Sequence, residues 1–151
     1  MNSGYFRGYT IFCDDIRDES GGKTSLIGVY RGTMFVNGDF PFLLPKFGMA
    51  ITYFERRGHY SEEEVTLRIF LPGDDDDSPS IQGIVPMREA RSKVASDQIE
   101  KEYVVVGSHI VLSPLVIGGS GLIKVRVQCG TEVFKLGALV VTKMPSDKSE
   151  S

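Results

Sequence analysis

Tryptophan is absent from this sequence, and cysteine and histidine occur only twice each. Without tryptophan, the chain cannot carry the Cys…Trp…Cys pattern of antibody domains. Long apolar runs are also missing, since none approaches the roughly 20 residues that a membrane-spanning helix needs. The opening residues contain no signal-peptide core, so we expect no membrane association, a cytoplasmic location and two reduced cysteines, Cys13 and Cys129. A disulfide between them is the alternative if the protein is exported by another route.

An excess of basic charge is a further absence. The formal net charge is −3 at pH 7, whereas proteins that bind nucleic acid use a basic face to displace counterions from phosphates. We therefore expect no nucleic-acid partner. The length of 151 residues, with 41% hydrophobic and 25% charged residues, is typical of one soluble globular domain.

What the sequence does contain is alternation of apolar and polar residues. It is clearest in VTLRIFL (65–71), LIKVRVQC (122–129) and KFGMAITYF (46–54). A period of two is typical of half-buried strands, because a helix would repeat its apolar residues every three or four positions. Clusters of Gly, Asp, Ser and Pro separate these segments and are typical of turns. The pattern predicts about eight strands, at 8–13, 24–36, 46–55, 63–71, 81–85, 103–112, 122–129 and 133–142.

Strands joined by short turns favour an all-β, antiparallel fold. At this length, two packed sheets bury both inner faces, so we predict an immunoglobulin-like β-sandwich over residues 1–144 and a disordered tail over 145–151. The segment 87–102 has a thin apolar stripe formed by Met87, Ala90 and Val94. This stripe fits one short helix, and an ordered connection is the alternative.

The segment IFCDDIRDESGGKTSLIGVY (11–30), followed by Met34 and LLPKF (43–47), resembles the opening of a family of small bacterial proteins. Members of that family begin with a strand, a Cys-Asp-Asp-Ile-Arg turn, Gly-Lys and a Ser-Leu-Ile-Gly strand. The resemblance covers about the first third of the chain. No activity is established for the family, so the resemblance implies a domain and transfers no catalytic residue.

The segment GGKTS (21–25) matches the end of a phosphate-binding P-loop, G-x-x-x-x-G-K-[ST]. The first glycine of that motif would stand at position 17, which is Arg17, and the following residues are typical of a strand instead of a helix. Both the loop and the helix N-terminus that would face a phosphate are missing. We interpret the segment as a glycine turn between strands.

Metal binding has two candidate sets. Cys13, His59, His109 and Cys129 are ligand types that zinc accepts, but they lack the closely spaced pairs of structural zinc sites. Alternation places both cysteines on apolar strand faces, so we expect buried thiols. The run Asp74 to Asp77 lacks the spacing of an EF-hand, which leaves a solvated turn or a calcium site built from neighbouring loops.

Strand parity predicts which loops meet. If consecutive strands alternate in direction, the first and third connections share one end of the sandwich and the Asp74 loop lies at the other. The expected polar binding surface then combines two charged loops, and simple charge pairing between solvated loops is the alternative. Its predicted residues are Asp14, Asp15, Arg17, Arg56, Arg57 and His59.

These observations favour a non-catalytic module that binds another protein and needs no cofactor. The alternative is a calcium-assisted, carbohydrate-type ligand-binding domain, and a third hypothesis is an enzyme that works from Asp14, Asp15 and His59. No triad motif or metal-ligand spacing identifies a catalytic residue. We expect Asp14 and Asp15 to be mainly structural, accepting hydrogen bonds from backbone amides two residues on, so that replacing one with alanine costs about 1 kcal/mol or more.

Overall fold

The computed structural model of the chain describes residues 7–56, 64–87, 89–90 and 103–145. Nearly all of these residues lie in strands or in the turns that join them. The strands are β1 (Gly8–Cys13), β2 (Asp15–Glu19), β3 (Lys23–Ile27), β4 (Thr33–Val36), β5 (Phe42–Leu44), β6 (Phe47–Arg56), β7 (Val65–Phe70), β8 (Ile81–Ile84), β9 (Tyr103–Leu112), β10 (Leu115–Ile117), β11 (Gly121–Cys129) and β12 (Glu132–Lys143).

Two larger sheets form the body of the molecule. One has the order β1-β6-β9 and is antiparallel throughout. The other has the order β4-β12-β11-β7-β8, and its strands are antiparallel except at β4, which runs parallel to β12 with Thr33 opposite Val140. Two small sheets, β2-β3 and β5-β10, complete the strand pairing among the described residues.

The inner faces of the two larger sheets share one hydrophobic core. Phe47, Met49 and Ile51 project into it from β6, and Val125 and Val127 project into it from β11. These residues stand two apart in the sequence, so the alternation that predicted the strands also predicted their buried side. The prediction of an all-β sandwich of antiparallel sheets is confirmed.

Contacts between β1 and β12 show how the two larger sheets are aligned. Arg7, just before β1, lies over the ring of Phe134, and Thr10 lies next to Gly137. Strands β1 and β12 therefore run in the same direction. A register shift in the pairing of β11 with β12, between Val125 and Arg126, bulges β12 at Leu136, whose side chain is buried in the core. By this alignment, Cys13, Phe70 and Lys143 all lie toward one end of the sandwich.

Some predicted strand bounds agree with the structure and others differ. The segments 8–13 and 103–112 are strands with those bounds, whereas 24–36 is divided between β3 and β4. Strands β2, β5 and β10 were not predicted. In the predicted helix 87–102, Met87, Glu89 and Ala90 are helical, and the other positions lie outside the described residues, as does the predicted tail beyond Pro145. None of the described helical residues belongs to a helix long and apolar enough to cross a membrane.

Candidate binding surfaces

The Asp14–Asp15 pair joins β1 to β2 and has structural contacts. The backbone N–H of Asp14 is shared between the carbonyls of Ile27 (2.9 Å) and Gly28 (3.1 Å), which ties the end of β1 to the end of β3. Asp15 Oδ1 accepts a hydrogen bond of 2.8 Å from the N–H of Ile16. The acceptor role that we expected is present, although the donor is the next residue instead of one two positions on.

Asp14 also binds a tyrosine. The hydroxyl of Tyr30 donates to Asp14 Oδ1 at 2.7 Å, and the N–H of Tyr30 donates to the carbonyl of Phe12 at 2.8 Å. The ring of Tyr30 packs against Phe47, with 6.1 Å between centroids. Burial, followed by the hydrogen bond and charge of Asp14, raises the pKa of Tyr30. The exposed Asp14 carboxylate is therefore linked through one side chain to the core.

We expect Asp14 and Tyr30 to be energetically coupled. Asp14→Ala and Tyr30→Phe should each lower the free energy of unfolding, and the double variant should lose about 0.5–1.5 kcal/mol less than the sum of the single changes. Urea denaturation of the four proteins measures this coupling. Asp14→Ala should also lower the pKa of Tyr30, which absorbance of the phenolate reports. Additive losses with an unchanged tyrosine titration would show that the hydrogen bond contributes nothing.

Asp15 interacts weakly with two cations. Its Oδ2 lies 3.5 Å from Arg17 Nε and 3.5 Å from Lys46 Nζ, and both cations are largely exposed. Burial would raise the pKa of Asp15, but the Ile16 amide, Lys46 and Arg17 together lower it. Exposed ion pairs of this kind contribute about 0.2–1 kcal/mol. Asp15 is thus paired with two exposed cations, one from its own strand and one from the segment just before β6.

Arg56 is not brought to this turn. Cys13 stands opposite Gly48 near the start of β6, whereas Arg56 is the last residue of β6 and stands opposite Tyr103. Asp15 and Arg56 therefore lie at opposite ends of the sandwich. Arg57 and His59 lie outside the described residues. The parity argument was wrong because consecutive strands do not simply alternate in direction. Strands β1 and β4 both run in the direction of β12, whereas β6 is antiparallel to β1.

The Asp74 loop is organised by one carboxylate. Asp74 Oδ2 accepts hydrogen bonds from the N–H of Leu71 (2.9 Å), the N–H of Ser80 (2.9 Å) and the hydroxyl of Ser80 (2.7 Å). Asp76 instead pairs with Lys124, at 3.3 Å. Across residues 7–56, 64–87, 89–90 and 103–145, no three His, Cys, Asp or Glu side chains are grouped to hold a metal ion. The loop lies toward the same end as Asp14, contrary to the parity argument.

The two cysteines occupy different surroundings. Cys13 is fully buried, but it stands on the outer face of the β1-β6-β9 sheet, where the Ile16 side chain and Gly48 enclose it. Its thiol donates to the Asp15 carbonyl at 3.4 Å. Burial, with the nearby charge of Asp14, raises the pKa of Cys13. Cys129 is only half-buried at the end of β11, so the burial expected of its thiol is incomplete. Both thiols are free, and the burial expected of Cys13 comes from β2 instead of the core.

The outer face of the β1-β6-β9 sheet is a surface that sequence reasoning missed. On β9, Tyr103, Val105, Gly107, His109 and Val111 point outward and are exposed. The ring of Tyr103 meets Phe54 of β6 edge-on at 5.7 Å. Strand β9 has no charged residue and no proline, and among the described strands it pairs only with β6. Among the described strands, one backbone edge of β9 therefore has no partner strand.

Comparison with known proteins gives no relative: no protein family, no curated protein and no solved structure matches this chain.

Proposed function

We propose that this protein is a non-catalytic module that binds an extended segment of another protein along strand β9. The observation that carries the proposal is a ten-residue strand at the edge of a sheet, without a charged residue and with exposed apolar side chains. An edge strand offers a row of backbone N–H and C=O groups that a partner strand satisfies.

The composition of β9 supports binding at this edge. Proteins usually protect long edge strands with lysine, proline or a bulge, because an unprotected edge pairs with other chains. YVVVGSHIVL contains none of the protective residues, and its pairing with β6 is continuous from Tyr103 to Leu112. An edge strand that lacks these protective features is expected where a partner covers it.

The outward side chains indicate the chemistry of that partner. Val105 is 58% exposed, and Val111, Tyr103 and Tyr9 on the same face are also exposed. An added strand would place every second side chain on this face. The partner segment is therefore extended, uncharged and apolar at alternate positions.

The alternatives have less support. Asp74 Oδ2 already accepts three hydrogen bonds and Asp76 pairs with a lysine, so the calcium-assisted hypothesis has no observation in its favour. Two packed sheets support the further proposal that the architecture is immunoglobulin-like. This architecture does not indicate a partner, because a fold does not determine function.

Val105→Lys tests the proposal because it places a charge on β9 where an apolar partner would pack. Val116→Lys on β10 is the matched control, since Val116 is similarly exposed at 53%. Each protein is used for affinity capture from native lysate. Proteins retained by the wild type and by Val116→Lys, but lost with Val105→Lys, are purified and added back. We expect the backbone amides of β9 to exchange hydrogen more slowly in their presence.

Two outcomes would contradict this function. Equal capture by Val105→Lys, or no change in amide exchange of β9, would place the interaction elsewhere. Self-association of the wild type that Val105→Lys abolishes would show that a second copy of this chain occupies the edge instead of another protein. Melting curves of both variants should remain close to that of the wild type, because exposed substitutions usually change stability by less than about 0.5 kcal/mol.

A further inference from the structure

A row of three cations crosses the outer face of the five-stranded sheet. Arg126 of β11 stands directly opposite Arg68 of β7 on one side and Lys135 of β12 on the other. Directly opposed residues share a face of the sheet, and neighbouring strands lie about 4.8 Å apart, so the row is roughly 10 Å long. These residues are distant in the sequence, and strand register alone aligns them.

Among the described residues, no carboxylate forms an ion pair with Arg68, Arg126 or Lys135. Arg68 donates to Gln128 Oε1 at 2.8 Å and to the carbonyl of Asp77 at 3.3 Å, and Arg126 donates to the carbonyls of Val125 at 2.9 Å and Gly137 at 3.3 Å. All of these acceptors are uncharged. Like charges directly opposite one another destabilise a sheet. The arrangement costs stability unless an anion lies over it.

A nearby carboxylate, that of Asp76, is loosely held. Asp76 lies 3.3 Å from Lys124, which stands on the same face two residues before Arg126, and the side chain of Asp76 is 94% exposed. Burial lowers the pKa of Arg126, and Asp76 acts in the opposite direction. The uncharged hydrogen bonds thus fix the position of the guanidinium groups while leaving most of their charge unpaired.

We propose that this face binds an acidic, extended peptide segment of a partner protein, with its carboxylates over Arg68, Arg126 and Lys135. Guanidinium groups bind carboxylates with two parallel hydrogen bonds, and Arg126 is held in place by the backbone of the bulge. This site lies on the sheet that does not contain β9, and it does not depend on the function proposed above.

A peptide fits this face better than a nucleic acid. Single-stranded nucleic acids are bound by aromatic side chains on which bases stack. On this face Phe70 lies beneath Arg68 and Lys124, with their charged groups 5.6 Å and 5.1 Å from its centroid. The exposed ring of Phe35 lies on the edge strand β4 opposite Thr142, away from the row. Exposed aliphatic residues border the cations instead, among them Leu122, Val133 and Val140. Such a surface matches a segment in which acidic and aliphatic residues alternate.

The test uses a short fluorescent peptide of alternating Glu and Val, with binding followed by anisotropy at low salt. Lys135→Glu reverses one exposed charge of the row, and it places a carboxylate beside Arg126, so the fold should tolerate it. Lys23→Glu makes the same change on β3, away from this face. We expect Lys135→Glu to weaken binding about fivefold, because an exposed ion pair contributes up to about 1 kcal/mol, and Lys23→Glu to leave it nearly unchanged.

The other results would overturn the proposal. No binding of the peptide by the wild type, or equal weakening by both variants, would show that the row is not a peptide site. Tighter binding of a single-stranded oligonucleotide, lost in Lys135→Glu, would assign the face to nucleic acid. Binding that does not weaken as salt is raised would exclude a charge-based contact, since salt screens exposed charges.

Discussion

Replacing Phe47 with alanine is expected to lower the free energy of unfolding by about 3–5 kcal/mol, the usual cost of removing a buried phenylalanine. The side chain is completely buried, and its ring lies 6.2 Å from that of Phe12 and 6.1 Å from that of Tyr30. The ring of Tyr30 cannot easily move into the cavity, because its hydroxyl donates a hydrogen bond to Asp14. Urea denaturation measures the loss.

Phe35→Ala is the matched control for this change. Phe35 belongs to β4 and is 54% exposed, so its replacement should cost less than about 1 kcal/mol. A comparable loss in both variants would mean that the burial of Phe47 contributes no more stability than the exposed Phe35. It would also contradict the view that Phe47, through Tyr30, connects the Asp14 turn to the core.

Asp74→Ala is expected to lower the free energy of unfolding by about 1–3 kcal/mol, the cost of leaving hydrogen-bond donors without an acceptor. One carboxylate oxygen accepts from the backbone of Leu71 and from the backbone and hydroxyl of Ser80, so its removal affects both ends of the loop. Asp75→Ala is the control, because Asp75 is exposed and contributes only its backbone carbonyl, to Ser78. Equal losses would contradict this account.

The pH dependence of Asp74 has a definite sign. Burial would raise the pKa of Asp74, but the hydrogen bonds from Ser80 and Leu71 and the charge of Lys124 hold it below its usual range. A carboxyl whose pKa is lower in the folded state stabilises the protein above its unfolded pKa, and this contribution is lost as the pH falls through the folded value. The stability difference between wild type and Asp74→Asn should therefore shrink below about pH 4.

The body of the sandwich could be predicted because its strands bury one face. In β6 and β11, alternate residues enter the core, and the sequence records this as a period of two. The hairpin of β2 and β3 buries little, and DIRDE carries no apolar alternation, so it resembled a turn. The predicted neighbours of Asp14 were wrong because strand direction does not alternate along the chain, and the sequence pattern does not record direction.

The two proposed surfaces depend on properties that alternation does not encode. YVVVGSHIVL was recognised as a strand, but the sequence does not show that β9 stands at the edge of a sheet. Arg68, Arg126 and Lys135 appeared as ordinary polar positions on three strands. Their alignment requires the register of β7, β11 and β12, which depends on packing between distant parts of the chain.

The parallel pairing of β4 with β12 affects the order in which the molecule can assemble. Hairpins such as β2-β3 and β11-β12 join neighbouring segments, so they form soon after those segments leave the ribosome. Strand β4 is synthesised about a hundred residues before β12, which is the last described strand, and it cannot pair until β12 is present. Until then Met34 and Val36, which are buried in the finished core, have no sheet to join. A nascent chain therefore exposes this apolar strand until β12 has been synthesised, and a chaperone that binds apolar segments would have reason to cover β4 in that interval.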